Sequence, residues 1–138
     1  MELKRVVVTG LGALTPIGNT APAFWAALLE GRSVAGPITR FDASNYKTQF
    51  ACEVKDLNVE DCIDRKEARR MDRCTHLGLI AAEEAIADSG LEASNPNKDR
   101  IGVVWGSGIG GLDTFTEEFG NYYKGGEVPR FNPFFIPK

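Results

Sequence analysis

The sequence predicts an α/β fold with a largely parallel sheet. Two short apolar segments, residues 3–9 and 101–105, are rich in valine and lead into glycines, as buried strands do. Segments with apolar residues at helical spacing follow each of them. The composition, with 43% hydrophobic and 25% charged residues, is ordinary for a globular protein. The predicted order of elements is typical of this fold class: strand, helix, short strand, helix, strand and helix.

The first predicted strand, residues 3–9, contains three consecutive valines without polar alternation, so we expect both of its faces to be buried. Thr20 then supplies a suitable N-cap, and the first helix is expected to end near Gly31. Between this helix and residue 64, the sequence predicts loops and one short strand at residues 50–54.

A long helix is predicted over residues 65–89, because Asp64 is placed as its N-cap and Gly90 as the residue that ends it. On a helical wheel, its apolar and basic residues lie on opposite faces. The apolar stripe consists of Ala68, Met71, Thr75, Leu79, Ala82 and Ile86. The basic face consists of Lys66, Arg69, Arg70 and Arg73. We interpret the stripe as core, and the basic face as either a solvated surface or a docking surface for an acidic partner.

The last predicted elements are a strand at residues 101–105, a glycine-rich turn at 106–111 and a helix at 112–124. The final stretch, residues 128–138, carries three phenylalanines and one isoleucine, although chain ends are usually polar. We therefore expect these apolar side chains to require a partner surface, and we interpret the sequence as an interrupted one.

Charge and hydropathy narrow the classes of partner. The net charge of −3, and a basic cluster without interleaved aromatic residues, argue against nucleic-acid binding. No apolar run is long enough to cross a membrane, and the N-terminus does not have the shape of a signal peptide. We therefore expect a cytoplasmic protein with no membrane partner.

Neither a metal site nor a catalytic thiol is predicted. The single histidine and the three cysteines lack the spacing of metal ligands, and the cysteines are expected to stay reduced. Cys74 and His76 are two positions apart, which on a helix places them on different faces and out of hydrogen-bond reach. We expect structural roles for these residues, and no cofactor.

A Rossmann-like nucleotide-binding domain is an alternative interpretation of the glycine-rich turns. Residues 106–111 match Gly-x-Gly-x-x-Gly between a predicted strand and a predicted helix. The full fingerprint also requires an acidic residue about twenty positions on, at the end of a second strand. The proline-rich end of the chain occupies that place. Near Gly10 and Gly12, the third glycine is replaced by Thr15. Close backbone packing is the stronger interpretation of such glycines.

Several strings along the chain match, in order and spacing, those of one enzyme family. They are Val-Val-Val-Thr-Gly-Leu-Gly at 6–12, Thr-Pro-Ile-Gly-Asn at 15–19, Arg-Phe-Asp at 40–42, Arg-Lys-Glu at 65–67, Arg-Met-Asp at 70–72, Asp-Ser-Gly-Leu at 88–91, Gly-Ser-Gly-Ile-Gly-Gly at 106–111 and Asn-Pro-Phe-Phe-Ile-Pro at 132–137. Together they resemble the elongating β-ketoacyl-[acyl-carrier-protein] synthases, the condensing enzymes of type II fatty-acid synthesis. The resemblance covers residues 1–138 as one segment.

This resemblance implies a thiolase-like α/β fold with αβαβα layers, of which residues 1–138 form the first part of the N-terminal half, and a homodimer when complete. It implies an acyltransferase that condenses malonyl-loaded with acyl-loaded acyl carrier protein, with decarboxylation, to 3-oxoacyl carrier protein. In the family, a cysteine at a helix N-terminus and two histidines carry out this chemistry, and all three follow the Pro-Phe-Phe segment. The chain is therefore expected to end before the nucleophile, to contain no catalytic residue and to be inactive alone.

The resemblance also assigns recognition residues. Ile109 matches a residue that lines the acyl pocket, and its alternative role is that of a core isoleucine. Phe135 and Ile136 match the segment that crosses the dimer interface toward the partner's acyl pocket. The positions that match those used to dock the acidic carrier protein are Lys66, Arg69, Arg70 and Arg130. A non-catalytic module that binds the carrier protein through this basic face is the remaining alternative.

Overall fold

A computed structural model describes residues 3–92, 94 and 96–136. The helices in these residues are α1 (Ala21–Leu29), α2 (Arg65–Ala68), α3 (Arg73–Ser89) and α4 (Leu112–Lys124). The strands are β1 (Gly36–Pro37) and β2 (Phe50–Ala51), and single 3₁₀ turns lie at Val59–Asp61 and Lys98–Arg100. The described residues form two compact units, one from residues 3–57, 81–92 and 94, and the other from residues 58–80 and 96–136. Within the described ranges, none of the helices has the length and apolar character needed to cross a bilayer.

The first helix forms where its capping residue predicts. The hydroxyl oxygen of Thr20 accepts a hydrogen bond from the backbone N–H of Ala23 at 3.3 Å, which satisfies one of the free donors of the first turn. The chain leaves the helix through Gly31, whose φ of +65° is a left-handed conformation that glycine adopts at low cost. The prediction for α1 is confirmed at both ends.

The observed strands form a single short antiparallel pair. Gly36 lies opposite Ala51, and Pro37 lies opposite Phe50. The Thr39 hydroxyl donates to a carboxylate oxygen of Glu53 at 2.5 Å, just beyond the pair. A short strand was predicted at residues 50–54, and β2 confirms its first part. The predicted parallel arrangement is not found within the described part of this chain, where β1 and β2 run antiparallel.

The two longest predicted strands, residues 3–9 and 101–105, are not strands in the structure. Their side chains are open to solvent: Val6 is 90% exposed, Val8 78% and Val103 85%. A buried parallel strand needs hydrogen-bonded neighbours at both edges and helices over its faces. Because the described residues supply neither neighbour to these segments, the predicted burial on both faces is wrong for this chain.

The predicted long helix, residues 65–89, is interrupted. Asp64 caps it as expected, since its carboxylate accepts from the N–H of Lys66 at 2.8 Å. However, α2 ends at Ala68, and the next amides bond three residues back, as Met71 does to the Ala68 carbonyl at 3.2 Å. Asp72 then begins α3 as a second N-cap: its side chain accepts from the N–H of Cys74 at 3.2 Å. A second capping aspartate thus divides the segment.

Because the helix is interrupted, the predicted apolar stripe does not continue along residues 65–89. Ala68 belongs to α2 and Met71 to the connection, so neither extends the stripe of α3. On α3 itself, Leu79 is 41% exposed and Ile86 is 42% exposed, so the predicted core face is only partly covered. The buried hydrophobic side chains among the described residues are Ala27 and Ala43.

In the first unit, the loop after residue 9 runs close along α3. A Cβ atom added to Gly10 or Gly12 would collide with the backbone of Ala85 or Ala81. The amide of Leu11 donates to Asp88 at 2.9 Å, and that of Ala13 donates to Glu84 at 2.8 Å. These glycines therefore serve close backbone packing, as predicted.

Candidate functional site

In the second unit, helix α4 and the segment that follows it form an aromatic cluster. The ring of Phe119 lies 4.4 Å from that of Phe115 between centroids, and 5.8 Å from that of Phe131. Phe131 stacks in turn on Phe135 at 5.4 Å, with an interplanar angle of 16°. Such pairs contribute about 0.5–1.5 kcal/mol each beyond the apolar area that they bury. Phe131 and Phe135 thus find a partner surface on their own α4.

Asn132 organises the turn that returns the chain to α4. Its backbone N–H donates to a carboxylate oxygen of Glu118 at 2.9 Å, and its side-chain oxygen accepts from the N–H of Phe134 at 2.9 Å. The N–H of Phe135 donates to the Asn132 carbonyl at 2.8 Å. These hydrogen bonds fix the direction in which Phe135 leaves the turn.

Beside this cluster lies an apolar cleft of about 510 Å³. No charged residue lines it among those that the structure describes. Its walls are Cys74, Ile109, Gly110, Gly111, Leu112, Phe115, Phe119, Phe135 and Ile136. The volume is within the range of about 300–1,000 Å³ typical of small-molecule sites. Ile109, assigned to the acyl pocket, thus lines one cleft together with Phe135 and Ile136, which were assigned to the segment that reaches a partner's pocket.

The side chains at this cleft differ in exposure. Ile109 is 74% exposed and Ile136 is 85% exposed, so both stand at open positions, and the alternative that Ile109 is a core residue is wrong for this chain. Phe135 is half-buried and contacts Phe115, with 6.1 Å between the ring centroids. The predicted reach of Phe135 and Ile136 toward a partner's pocket stays a prediction.

The glycine-rich turn meets helix α3 at Cys74. The Gly111 N–H donates to the Cys74 sulfur at 3.4 Å, and a Cβ atom on Gly110 would lie 3.3 Å from the same sulfur. Gly111, with a φ of +69°, begins α4 without a side chain that could cap it. By contrast, Gly106 and Gly108 face open space. Close packing was predicted for this turn. It holds at Gly110, while Gly111 contacts Cys74 only through its backbone N–H.

The missing cap of α4 is replaced by Asp72, the residue before α3. One carboxylate oxygen of Asp72 accepts from the N–H of Thr114 at 3.1 Å and from its hydroxyl at 2.6 Å. The other oxygen accepts from the N–H of Cys74. Asp72 and Thr114 are 5% and 7% exposed, so these hydrogen bonds form away from water. One carboxylate therefore caps the first turns of two helices.

The surroundings of Asp72 keep it ionised. Burial is the largest single influence and raises the pKa of this carboxyl group, but the hydrogen bonds from Thr114 and Cys74 together outweigh burial, and the pKa is lowered. A negative charge at the start of two helices is also favoured by their dipoles.

The predicted docking residues all lie in this second unit. Lys66 and Arg69 are exposed, and within the described ranges neither forms an ion pair. Arg70 is engaged: it pairs with Glu67 at 3.1 Å, and its guanidinium carbon lies 5.5 Å from the centre of the Phe134 ring.

Arg130 is exposed and lines a second, smaller cavity of about 260 Å³. The other walls of this cavity include Glu118, Tyr122 and Phe131. Because α2 ends at Ala68, the predicted basic face of one continuous helix is wrong. The four cations are instead carried by α2, the connection that follows it and the segment after α4. Their docking role stays a prediction.

His76 and Cys74 each have a backbone hydrogen-bond partner. His76 donates from Nε2 to the carbonyl oxygen of Ala68 at 2.8 Å, while the Cys74 sulfur accepts from Gly111 at 3.4 Å. Cys52 and Cys62 are exposed and free. Cys74 and His76 thus have different hydrogen-bond partners. The part of the chain that the structure describes contains no group of three or more potential metal ligands.

The first glycine turn is closed to a phosphate group. A dinucleotide requires free backbone N–H groups at such a turn. Here the amides of Leu11 and Ala13 already donate to the carboxylates of Asp88 and Glu84, and these negative charges repel a phosphate. Since the second turn, residues 106–111, lacks the acidic residue at the end of a following strand, the Rossmann-like alternative is not supported at either turn.

Sequence reasoning missed three features of this site. Asp72 precedes α3 and is among the preferred N-cap residues, so a second cap within the predicted long helix was recognisable. Its hydrogen bonds to Thr114, however, join residues 42 positions apart and leave no local signal. The place of Cys74 and Phe119 in the cleft likewise depends on how α3 and α4 meet.

Comparison with known proteins places the chain in a family. A family model described as "Beta-ketoacyl synthase, N-terminal domain" matches residues 3–136. The chain is 50% identical over 137 residues to 3-oxoacyl-[acyl-carrier-protein] synthase 2 of Synechocystis sp., with 99% of this chain and 33% of the relative covered. The proteins of the same name from Staphylococcus aureus (strain N315) and Vibrio harveyi are 47% and 46% identical, over 97% and 99% of this chain and 32% and 33% of their own length. The chain thus spans about a third of these curated relatives.

Solved structures agree on the fold. The ishigamide ketosynthase/chain length factor matches with a TM-score of 0.77 and 27% identity, over 96% of this chain and 33% of that chain. A type II PKS acyl-carrier protein in complex with its ketosynthase bound to the hexaketide matches with a TM-score of 0.65 and 20% identity, over 93% and 34%. The expected thiolase-like α/β fold is confirmed, with this chain as the first part of its N-terminal half. Because the family model matches residues 3–136, the chain belongs to the beta-ketoacyl synthase family.

Proposed function

We propose that the protein is an acyltransferase of fatty-acid elongation. It condenses malonyl-loaded with acyl-loaded acyl carrier protein, releases carbon dioxide and forms 3-oxoacyl carrier protein. The observation that carries this proposal is the 46–50% identity to enzymes named 3-oxoacyl-[acyl-carrier-protein] synthase 2 along nearly the whole chain. Since the chain spans about a third of those enzymes, the activity and substrates of the whole protein belong to the proposal.

In this function, the apolar cleft receives the acyl chain. Ile109, Phe135 and Ile136 are the residues that we assign to this contact. An uncharged lining and a volume of about 510 Å³ support it, because a saturated chain gains free energy wherever its methylene groups leave water. An aliphatic substrate also explains why large apolar side chains surround the cleft.

The exposed cations receive the carrier protein, which is acidic in this family. We assign Lys66, Arg69, Arg70 and Arg130 to this contact. The exposure of all four supports the assignment, as does the lack of an ion pair at Lys66 and Arg69 among the described residues. Such charges speed encounter with an acidic partner more than they add to affinity.

The catalytic nucleophile and its two histidines are proposed to lie outside these 138 residues. The sequence has one histidine, and its Nε2 donates to the Ala68 carbonyl. Cys74 has Gly111 and Thr75 as neighbours rather than an imidazole. We expect residues 1–138 to be inactive alone, and the complete enzyme to be a cytoplasmic homodimer.

A chimera tests the proposal. Residues 3–136 replace the matching third of the Vibrio harveyi synthase, and condensation of malonyl with acyl carrier protein is followed by mass spectrometry. We expect 3-oxoacyl carrier protein to form, whereas the unfused 138-residue chain should form none. A chimera that folds and dimerises like the parent enzyme but does not condense would count against the proposal.

A non-catalytic module that binds acyl carrier protein is the second candidate, favoured by the exposure of Lys66 and Arg69. Calorimetry of the 138-residue chain with unloaded carrier protein measures such binding. Binding together with an active chimera supports the enzyme. Binding together with an inactive, correctly folded chimera supports the module.

A further inference from the structure

Cys74 occupies a distinct place in the apolar cleft. It lies in the first turn of α3, while the other walls belong to the glycine-rich turn, α4 and the segment after α4. Among those walls, the side chains are large and apolar or are absent, as at Gly110 and Gly111. Cys74 is the residue that α3 contributes to this lining, and its side chain is small.

Two hydrogen bonds fix the position of Cys74, one at its backbone N–H and one at its sulfur. Its backbone N–H donates to Asp72 at 3.2 Å, and its sulfur accepts from the N–H of Gly111 at 3.4 Å. Gly110 approaches the sulfur as well, because a Cβ atom there would lie 3.3 Å away. A wall fixed in this way cannot retreat easily, so a larger residue at position 74 would fill the cleft.

We propose that Cys74 is a specificity-determining residue, whose small side chain sets the length of the acyl chain that the cleft accepts. The inference rests on the proposed function, which places an acyl chain in this cleft. It goes further, because it names the residue of α3 that limits the chain and predicts the direction in which each substitution moves that limit.

The first test measures the affinity of the 138-residue chain for hexanoate and decanoate by calorimetry. Each methylene group that leaves water strengthens binding by about fourfold, so a cleft shortened by two methylenes loses about 15-fold in affinity for decanoate. We expect that loss for Cys74→Phe, with hexanoate affinity changed by less than about twofold. Cys74→Ala should instead raise the preference for decanoate, and Cys74→Ser should preserve the original preference.

These outcomes decide the proposal even if one variant fails to fold, because Phe and Ala move the preference in opposite directions. Helical content by circular dichroism identifies a folded variant. If folded Cys74→Phe or Cys74→Ala keeps the decanoate-to-hexanoate ratio of the original chain, the proposal is overturned. A chain that binds neither acid overturns it as well.

A second readout uses the thiol itself. Decanoate in the cleft should slow the reaction of Cys74 with iodoacetamide, followed peptide by peptide by mass spectrometry. Cys52 and Cys62 are exposed and do not line the cleft, so their rates serve as internal controls and should not change. Equal rates at Cys74 with and without decanoate would overturn the proposal. Protection of Cys74 in a chain whose chimera does not condense would show that the proposed function fails while the cleft assignment stands.

Discussion

The carboxylate of Asp72 accepts both the backbone N–H and the hydroxyl of Thr114, at 3.1 and 2.6 Å, across 42 positions of sequence. Asp72 also caps α3 through Cys74. One buried side chain thus joins the beginnings of α3 and α4, and with them the turn that carries Ile109. The geometry of the cleft depends on this pair because Gly111 offers α4 no side-chain cap of its own.

Replacing Asp72 with alanine should destabilise the second unit strongly. The variant loses an N-cap, worth about 0.5–2 kcal/mol, and leaves buried donors of Thr114 unsatisfied at about 1–3 kcal/mol. We expect a total loss of about 2–4 kcal/mol in the free energy of unfolding, measured by urea denaturation. Thr114→Val removes only the hydroxyl and should cost about 1–2 kcal/mol.

Asp64→Ala is the matched control, because Asp64 caps the short α2 at an exposed position. Its loss should be near the lower end of the capping range, about 0.5 kcal/mol. Equal effects of Asp72→Ala and Asp64→Ala would show that the bridge to Thr114 contributes nothing.

Acid should remove the contribution of Asp72. Its pKa in the folded protein is lowered by the hydrogen bonds from Thr114 and Cys74, which outweigh the opposing influence of burial. A lowered folded pKa gives stability that is present above the unfolded value of about 3.9 and is lost as the pH falls through the folded value. Asp72→Asn lacks this titration. The difference in unfolding free energy between the two proteins should therefore be constant from pH 7 to about 5 and shrink below about pH 4. A difference that stays constant into strong acid would contradict the assignment.

Alanine at Gly10 or Gly12 should disrupt the first unit. The added Cβ atom meets the backbone of Ala85 or Ala81, which cannot move aside as a side chain can. We expect a loss of about 1–3 kcal/mol or more for each variant in thermal or urea unfolding. Gly106→Ala is the control, since a Cβ atom there meets open space and the φ of Gly106 is not positive. If Gly12→Ala is as stable as Gly106→Ala, the loop does not pack on α3 as described.

Charge reversal should weaken binding to acyl carrier protein. Lys66→Glu with Arg69→Glu removes two exposed cations and adds two anions, so we expect at least a tenfold loss of affinity at low salt, or about 1.4 kcal/mol. The loss should shrink above about 0.15 M salt, where surface charges are screened. Lys98→Glu with Arg100→Glu, in the exposed 3₁₀ turn, changes the net charge equally and is the control for overall charge. Equal binding by the double variant and the control would contradict the docking assignment.

The elements that sequence reasoning predicted well are those with local signals at their ends. Thr20 and Gly31 bound α1, and Lys124 and Gly125 end α4 at the predicted position. Capping involves residues within four positions of each other, so such signals survive whatever surrounds the helix. The segment at residues 65–89 failed because Asp72 is also a cap, and its buried bond to Thr114 favours the break.

The colinear motifs were enough to identify the family. Ile109, Phe135 and Ile136 line one cleft because Phe135 packs against Phe115 of α4, a contact that the motifs do not predict. The apolar character of residues 3–9 and 101–105 was not enough to make these segments strands. A strand is completed by its neighbours, and none pairs with them within the described chain.

The amino-acid sequence by itself determined the family and the positions at which α1 and α4 begin and end, since these depend on short motifs and on contacts within a few residues. Only the tertiary structure decided that Asp72 caps two helices, that Cys74 forms a wall of the cleft and that the valine-rich segments stay exposed. Each of these depends on groups distant in sequence meeting, or failing to meet, in space, and no local pattern records such a meeting.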